Sequence, residues 1–408
     1  MYQRDAAREA RELALASKNK GSVIRVSADM DEYGEMLRKV RAAPPSLSSS
    51  RPFRPTTAKI PRLSTLCAQV LSTHIDSLEE LGEPSDETKI ELLAELATCR
   101  RLSPETLLLV VCGHRRSTRS SGMHSGMASL ILPDCSAIDE DTLVSALRAA
   151  ANPTPSGSEG DEGGGGVSCL RVLELHNCGH GLTAWAAAQL SANSEVLGQL
   201  EVLRLGGMYR LSDANLEVLI RSVGKGQDCT QDLPSSPYFS RGKNTTGLRS
   251  LSLSHTNAVG ALSVRAMCET FLHLQELRLE GCSLEAPALE GLCLALASSS
   301  PLLRSLVHLC VAGCDALSDE HVCQLLSGTN PSAQLRACSS SSAASTARNA
   351  LGARLTVLSL RDCQGITDKA LRAIREHCLV LQELDVSRAL ALTTEGLLDL
   401  FQEVSHEG

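Results

Sequence analysis

The sequence predicts an α/β fold, a solenoid in which a strand, a turn and a helix recur about eight times. The clearest copy is LTVLSLRDCQGITDKALRAIREHC, residues 355–378. Its leucines alternate as in a short strand, a cysteine follows, and Leu371 and Ile374 then recur at helical spacing. One such unit cannot bury its apolar face alone, so copies must stack with parallel strands on the concave face and helices outside. The unit is a leucine-rich repeat in its cysteine-containing form.

The frame LxxLxLxxC recurs along residues 127–398, and wherever it weakens, the substitute is still small or apolar. We therefore expect every frame position to lie in the core. Several copies carry an ITD-like turn, in which Thr367 or Asp368 of the clearest copy can cap the following helix. The frame positions are, in chain order, Met127, Leu130, Leu132 and Cys135; Leu170, Leu173, Leu175 and Cys178; Leu200, Leu203, Leu205 and Met208; Leu248, Leu251, Leu253 and Thr256; Leu274, Leu277, Leu279 and Cys282; Leu306, Leu309, Val311 and Cys314; Leu355, Leu358, Leu360 and Cys363; Leu381, Leu384, Val386 and Ala389.

Composition changes along the chain indicate three parts. A Pro/Ser/Arg-rich stretch ends the first, and apolar residues at helical spacing mark the second. Stretches without a core period interrupt the third, and we expect them to loop out of the solenoid. The parts are a flexible N-terminal arm (1–60), a small helical block (61–115) that is a candidate adaptor-docking segment and N-terminal cap, and the leucine-rich-repeat domain (116–408) with loop insertions at 152–166, 224–247 and 331–352. The alternative for the arm is a docking segment that becomes ordered on a partner.

The helical block shows three helix signatures. The first helix starts near Leu63 and Gly82 can end it. The second runs from about Ser85 to Cys99, and the third has Ser103 as its N-cap. An end layer of a solenoid needs a cover, and this block can supply it at one end. At the other end we expect either a further cap or a partner to cover the eighth repeat.

Composition and charge exclude several classes of function. The net charge is −8 with a pI of about 5.8, which argues against unaided binding to DNA or to an anionic membrane. Aromatic residues make up only 2%, which argues against a stacking platform for single strands. No signal peptide or membrane-spanning run is apparent. The repeated position of many of the 16 cysteines indicates buried small hydrophobes in a reducing, intracellular compartment.

The repeats resemble those of F-box-type substrate receptors, and the helical block adds a narrower resemblance. Residues 60–112 look like the block that precedes the repeats in the Rad-seven family of nucleotide-excision-repair proteins. The stretch departs from the family at Cys99-Arg100. The resemblance implies a damage-recognition partner and a substrate receptor of a cullin ubiquitin ligase, in the nucleus and also in the cytoplasm. The matching residues are Leu66-Cys67, Ile75, Leu81-Gly82, Arg101-Leu102 and Thr106-Leu107.

A local motif bears on the ligase role. Leu63, Cys67 and Leu71 resemble the elongin C-binding box, LxxxCxxx[AILV], and their spacing keeps them on one helix face. The resemblance implies that Leu63 enters an apolar pocket of an elongin C-like adaptor, with a cullin behind it. The residue before Leu63 departs from the pattern, because Arg62 stands where a small residue or proline is usual. The alternative is an ordinary amphipathic core helix.

The concave strand surface is the default ligand face of such a solenoid. Its candidate residues carry mixed charges, which suggest a protein partner such as a repair protein or a ubiquitination substrate. The alternative is a face that is merely solvated. The candidates are Glu174, His176, Arg204, Arg278, Glu280, His308, Arg361 and Asp385.

The sequence indicates a non-catalytic protein without cofactor or metal. The segment HNCGH has metal-ligating residue types, but Cys178 already occupies a core position and no second ligand pair lies at a suitable spacing. No nucleophile, base and orienting group can be named. Two functions therefore remain open: a substrate-recognition subunit of a ubiquitin ligase linked to repair, and a general protein-interaction scaffold without a ligase link.

Overall fold

The computed structural model describes residues 25–26, 62–82, 84–113, 126–151, 169–225, 247–271, 273–297, 305–327 and 351–401. The strands are β1 (Arg25–Val26), β2 (Ser129–Leu132), β3 (Val172–Leu175), β4 (Val202–Gly206), β5 (Ser250–Ser254), β6 (Glu276–Glu280), β7 (His308–Cys310), β8 (Val357–Ser359) and β9 (Glu383–Asp385). The helices are α1 (Leu63–His74), α2 (Asp86–Thr98), α3 (Pro104–Cys112), α4 (Glu140–Ala151), α5 (Ala184–Ala192), α6 (Ser194–Leu197), α7 (Asp213–Lys225), α8 (Ala261–Thr270), α9 (Ala286–Ala297), α10 (Asp319–Ser327), α11 (Asp368–His377) and α12 (Thr394–Phe401).

Strands β2 to β9 form one parallel sheet in which chain neighbours are also spatial neighbours. Each strand is followed by a helix, and successive helices pack side by side on the outer layer. The central leucine of each strand lies in register with that of the next, as Leu277 does with Leu309. The predicted α/β leucine-rich-repeat solenoid is therefore confirmed.

The frame positions form the core of the solenoid. All of them are buried except Ala389 of the last repeat, which is partly buried and packs against the core. Even the substitutes Met208 and Thr256 are at most 2% exposed. The repeat therefore tolerates a change of side chain at the cysteine position as long as the group is small or apolar.

The residue before the cysteine position turns the chain. From the second repeat to the eighth, its backbone is left-handed, a conformation that glycine, asparagine and aspartate adopt most readily. This turn directs the next side chain back into the core. The turn residues are Asn177, Gly207, His255, Gly281, Gly313, Asp362 and Arg388.

The cysteine side chain satisfies a carbonyl of a neighbouring repeat. The Cys363 thiol donates to the Val311 carbonyl at 3.1 Å, and the Cys282 thiol donates to that of Leu253 at 3.2 Å. Where threonine replaces cysteine, the Thr256 hydroxyl donates to the Met208 carbonyl at 3.1 Å. A thiol or hydroxyl at this position therefore gives a buried carbonyl a hydrogen-bond partner, whereas Met208 and Ala389 contribute only packing.

The ITD-like turns link successive repeats. Thr367 is the N-cap of α11, so of the two predicted capping residues the threonine caps its own helix. The neighbouring Asp368 accepts hydrogen bonds from the backbone and hydroxyl of Thr393 in the next repeat, at 2.9 and 2.6 Å. Asp319 binds Thr367 in the same way. These carboxylates therefore stabilise the stacking of repeats as well as the helix ends.

Asp213 accepts more hydrogen bonds from the next repeat than Asp319 or Asp368 does, and its removal should destabilise the solenoid. Its carboxylate accepts backbone hydrogen bonds from Gly260, Leu262 and Ser263 at 2.8–3.0 Å. Asp213→Ala is expected to lower the free energy of unfolding by about 1–2 kcal/mol at pH 7. Urea unfolding measures this loss, and the exposed Asp141→Ala serves as the control.

The effect of Asp213 should depend on pH. Partial burial raises the pKa of this carboxyl, but the hydrogen bonds from Ser263, Leu262 and Gly260 outweigh burial and hold the pKa below its usual range. Since the folded-state pKa is depressed, the stabilisation is complete above the unfolded value of about 3.9 and disappears as the pH falls through the folded one. The difference between wild type and Asp213→Ala should therefore shrink in acid. A difference that stays constant from pH 7 to pH 2 would contradict this account.

The three helices of the block begin as expected, but the first ends early. Ser85 caps α2, and Ser103 forms a capping box with Thr106 at the start of α3. Helix α1 ends at His74 and a 3₁₀ turn, Ile75–Ser77, follows it. The prediction that Gly82 ends the first helix is therefore wrong. This glycine, with φ of 73°, instead turns the chain before α2.

The helical block packs on the first repeat. Helix α2 contacts β2, and its buried residues include Leu92, Leu93 and Leu96. The Asp86 carboxylate also accepts a hydrogen bond from the Ala128 backbone at 3.0 Å. These contacts cover the strand at the N-terminal end of the solenoid, as an end layer requires.

The predicted insertions differ from the structure at two boundaries. Helix α7 runs through Lys225, two residues into the expected 224–247 loop, and Leu351 is buried in a 3₁₀ turn at the end of the expected 331–352 loop. The other residues of the three insertions, apart from Gly247 and Gly352, lie outside the described part of the chain, as does the N-terminal arm except Arg25–Val26. Within the described ranges, none of the helices has the length and apolar character needed to cross a membrane.

Candidate partner-binding surfaces

Helix α1 exposes an apolar face to solvent. The side chains of Leu63, Leu66 and Val70 are 76%, 41% and 61% exposed, and Cys67 between them is exposed as well. The opposite side of the same helix is buried at Ala68 and Ser72. An exposed apolar helix face of this kind is typical of a protein-binding surface. We call Leu63, Leu66, Cys67 and Val70 the α1 outer face.

The predicted adaptor box is only partly accessible. Leu63 and Cys67 belong to the α1 outer face, whereas Leu71 is partly buried and packs against the core. A step of four residues advances a helix by about 40° around its axis. Leu71, the third residue of the box, is therefore rotated away from Leu63 and towards α2. Leu66 and Val70 are not part of the box pattern, but they are exposed together with Leu63 and Cys67.

Other residues that match the Rad-seven pattern have structural roles. The Arg101 guanidinium donates to the Ser72 and Thr73 carbonyls at 2.8 and 2.9 Å, which closes the C-terminal end of α1. Ile75 is fully buried, and Thr106 belongs to the capping box of α3. Packing and capping explain these residues. They do not explain the exposed pair Leu66-Cys67.

The cysteines of the described ranges range from exposed through intermediate to buried, and the exposed and the buried group contrast most. Cys67 and Cys99 are exposed, and a hydrogen bond to the Glu95 carboxylate, followed by burial, raises the pKa of the Cys99 thiol. Burial raises the pKa of Cys178 to about 12 and that of Cys363 to about 11. All cysteines in the described ranges are free thiols. Because the thiolate is the reactive form, the two groups should differ strongly in reactivity.

Thiol labelling is expected to distinguish Cys67 from the buried cysteines of the described ranges. At pH 7.5, a maleimide should modify Cys67 faster than Cys99 and far faster than Cys178 or Cys363, which need unfolding to react. Peptide mass spectrometry after timed quenching gives the rate at each site, and Cys67→Ser abolishes labelling of that peptide as the control. Slow labelling of Cys67 in the native chain would contradict its exposure on α1.

The predicted concave residues lie on the inner side of the sheet. The register aligns Glu174, Arg204, Ser252 and Arg278 in one row across β3 to β6. Asp385 ends the same row on β9. The predicted His308 lies in the adjacent row, next to Glu276, and the predicted His176, Glu280 and Arg361 lie at or just beyond the strand ends.

Ion pairs neutralise the centre of this surface. The Arg204 guanidinium lies 2.8 Å from the Glu174 carboxylate, and Arg278 lies 2.5 Å from Glu276. Burial raises the pKa of Glu276, but hydrogen bonds from Ser250 and Arg278 outweigh it, so the net pKa is lowered. Glu276 also faces outward in the repeat frame, but the sequence cannot show that it pairs with Arg278. The centre therefore offers neutralised charges and small serines, which suits a protein surface better than a phosphate backbone.

Two residues of the HNCGH segment, Cys178 and His180, make packing contacts with the next repeat. The buried Cys178 thiol donates to the Gly206 carbonyl at 3.3 Å. The His180 ring stands edge-on to Tyr209, with ring centroids 5.8 Å apart. The described residues contain no group of three or more His, Cys, Asp or Glu side chains placed to hold a metal ion.

Comparisons with known proteins leave the family open. No family model matches the chain, and no curated protein matches it. Solved structures do match, and one is the crystal structure of the Rad7 and Elc1 complex from yeast, at 17% identity and a TM-score of 0.40 over 83% of this chain and 78% of that chain. At this identity and score the likeness carries no argument about function. What the chain shows by its own geometry is a leucine-rich-repeat solenoid with an exposed apolar helix face at its N-terminal end.

Proposed function

We propose that this protein is a non-catalytic substrate-recognition subunit of a cullin-type ubiquitin ligase linked to nucleotide-excision repair. Its α1 outer face would dock an elongin C-like adaptor, which connects it to a cullin. Its concave face would hold a repair partner or a substrate. The observation that carries the proposal is the exposure of Leu63 and Cys67, the first two residues of the adaptor box.

The energetics of the α1 outer face suit helix-in-groove docking. Burying one leucine side chain completely contributes about 1.5–3 kcal/mol. The side chains of Leu63 and Val70 are each more than half exposed, so each can gain most of that free energy when it enters an apolar groove of a partner. Packing of α1 against α2 holds the helix in place before it binds. Such pre-organisation lowers the entropy cost of association.

The two proposed surfaces lie on different elements. The adaptor face belongs to the helical block, while the concave residues belong to strands β3 to β9 and the turns that follow them. One partner can therefore occupy α1 while another occupies the sheet. This arrangement supports a receptor that presents a substrate to a ligase. The link to repair and the nuclear location, with the cytoplasm as a second compartment, rest on the resemblance of residues 60–112 alone.

The competing function is a general leucine-rich-repeat scaffold without a ligase link. In that case α1 would serve only as part of an end cap, and Leu63, Cys67 and Leu71 would be buried against the solenoid. Only Leu71 packs against the core. The exposure of the other two therefore favours the adaptor proposal.

Direct binding tests the proposal. Titration of the full-length chain with purified elongin C in a calorimeter is expected to show a one-to-one complex with a Kd of about 1 μM or tighter, equivalent to about −8 kcal/mol. The lack of heat and of a co-migrating peak in gel filtration at 100-fold higher concentration would overturn the adaptor role.

The ligase and repair links need a cellular test. Affinity purification from DNA-damaged and undamaged cells, followed by mass spectrometry, is expected to recover elongin C and a cullin in both samples and repair proteins in at least one. Recovery of elongin C and a cullin without any repair protein would refute the repair link and leave the adaptor role standing.

A further inference from the structure

Two residues of the N-terminal arm extend the sheet at the far end of the solenoid. Strand β1 runs parallel to β9, with Arg25 in register with Glu383 and Val26 in register with Leu384. In sheet order, β1 is therefore the neighbour of the last repeat and not of the first. The part of the chain that precedes the N-terminal helical block thus contacts the C-terminal end.

Strand β9 offers one edge for this contact. The Glu383 backbone N–H donates to the Thr356 carbonyl at 3.0 Å, and the Asp385 carbonyl accepts from the Leu360 N–H at 2.8 Å, so both residues pair with the seventh repeat. Successive residues of a parallel strand direct their backbone groups to alternate edges. The N–H and C=O of Leu384 therefore point to the outer edge, where an additional strand can pair with them.

The core of the last repeat is covered. Leu384 is fully buried, and Leu381 and Val386 are only 7% and 6% exposed. In a terminal layer without a cover, the side of these residues that faces away from the stack would be open to water. The sequence led us to expect a further cap or a partner at this place. Strand β1 lies along the edge of this layer, in register with Glu383 and Leu384.

The chemistry of the edge fits the segment that occupies it. The concave side of β9 carries two acidic residues, Glu383 and Asp385, and the register places Arg25 beside Glu383. The arm sequence here is Val-Ile-Arg-Val, residues 23–26, which has strand propensity and one basic residue. A basic residue in the segment complements the negative charge of the strand, and main-chain hydrogen bonds supply most of the affinity of an added strand.

We propose that the outer edge of β9 is a strand-addition site, and that the arm segment around Arg25–Val26 binds it in cis as the C-terminal cap of the solenoid. The inference goes beyond the proposed function and does not depend on it. It assigns a structural role to an arm that its composition alone describes as flexible. It also defines the kind of segment the site takes, a short extended peptide with apolar residues and one cation.

Amide hydrogen exchange at single-residue resolution tests the proposal in the full-length chain. Replacing residues 22–27 by a Gly-Ser sequence of equal length is expected to speed exchange of the Leu384 amide by about tenfold or more. The adjacent Glu383 amide is the internal control, because it donates to Thr356 and should keep its rate. Adding a synthetic peptide with the sequence of residues 20–30 should restore the slow rate at Leu384. Equal Leu384 rates in wild type and the replaced chain would overturn the proposal.

A charge swap tests the register separately. Glu383→Lys is expected to speed exchange at Leu384, and the double variant Glu383→Lys with Arg25→Glu is expected to slow it again. If the second change does not restore protection, the proposed pairing is wrong.

Light scattering should give the mass of a monomer for the wild type. A dimer that the arm replacement converts to a monomer would show that the strand is exchanged between two copies, which contradicts binding in cis.

Discussion

Replacing Leu63 by aspartate is expected to weaken binding to elongin C by at least about 100-fold, equivalent to about 2.7 kcal/mol. Leu63 is 76% exposed in the free chain, so the change removes an apolar anchor and would bury a carboxylate in the complex. Cys67→Asp should act in the same direction, because Cys67 lies one helical turn further along the same exposed face. Calorimetry with purified elongin C measures both losses.

A matched control separates docking from folding. Leu379 is 80% exposed and lies in the turn between α11 and β9, so Leu379→Asp adds the same charge at a similarly exposed leucine far from α1. All three variants should unfold within about 0.5 kcal/mol of the wild type. Binding of elongin C to Leu63→Asp and Cys67→Asp with wild-type affinity would sink the docking proposal, whatever else the chain binds.

Phe271→Ala is expected to lower the free energy of unfolding by about 3–5 kcal/mol. Phe271 follows α8 and has the largest of the fully buried side chains among the described residues. Its removal leaves a cavity in a central repeat of the solenoid. The repeats on both sides lose stability as well, because each repeat is stabilised by packing against its neighbours. Urea unfolding followed by circular dichroism measures the loss.

Tyr209→Ala is the control for this experiment. Tyr209 is also aromatic, but it is 59% exposed, so its removal should cost less than about 1 kcal/mol. A loss below about 1 kcal/mol for Phe271→Ala would contradict the full burial of this side chain.

The repeat architecture could be predicted from the sequence because its determinants are local. Each unit carries its own strand period, cysteine position and helix period, and each unit contacts only its neighbours. The buried frame positions and the placement of the concave residues follow from that periodicity, whereas the N-cap Ser103 was predicted from its residue type before a proline. The hydrogen bond of the cysteine thiol could not be predicted from the unit alone, because its acceptor belongs to another repeat.

The candidate site was less predictable, because periodicity shows which residues share a helix face but not which way that face points. The spacing of Leu63, Cys67 and Leu71 is the same for a core helix and for a docking helix. Only the packing of α1 on α2 leaves the first two residues exposed and the third partly buried. On the concave face, likewise, only the register pairs Arg204 with Glu174.

The sequence by itself determined the fold class, the repeat boundaries within a few residues and the inward and outward positions, since all three depend on short-range periodicity. The tertiary structure decided which apolar face of α1 meets solvent, which charges neutralise one another and where the arm lies. These depend on contacts between elements that are distant in the chain. The pairing of Arg25 with Glu383 is the clearest case, because an open strand edge exists only after the whole solenoid has been stacked.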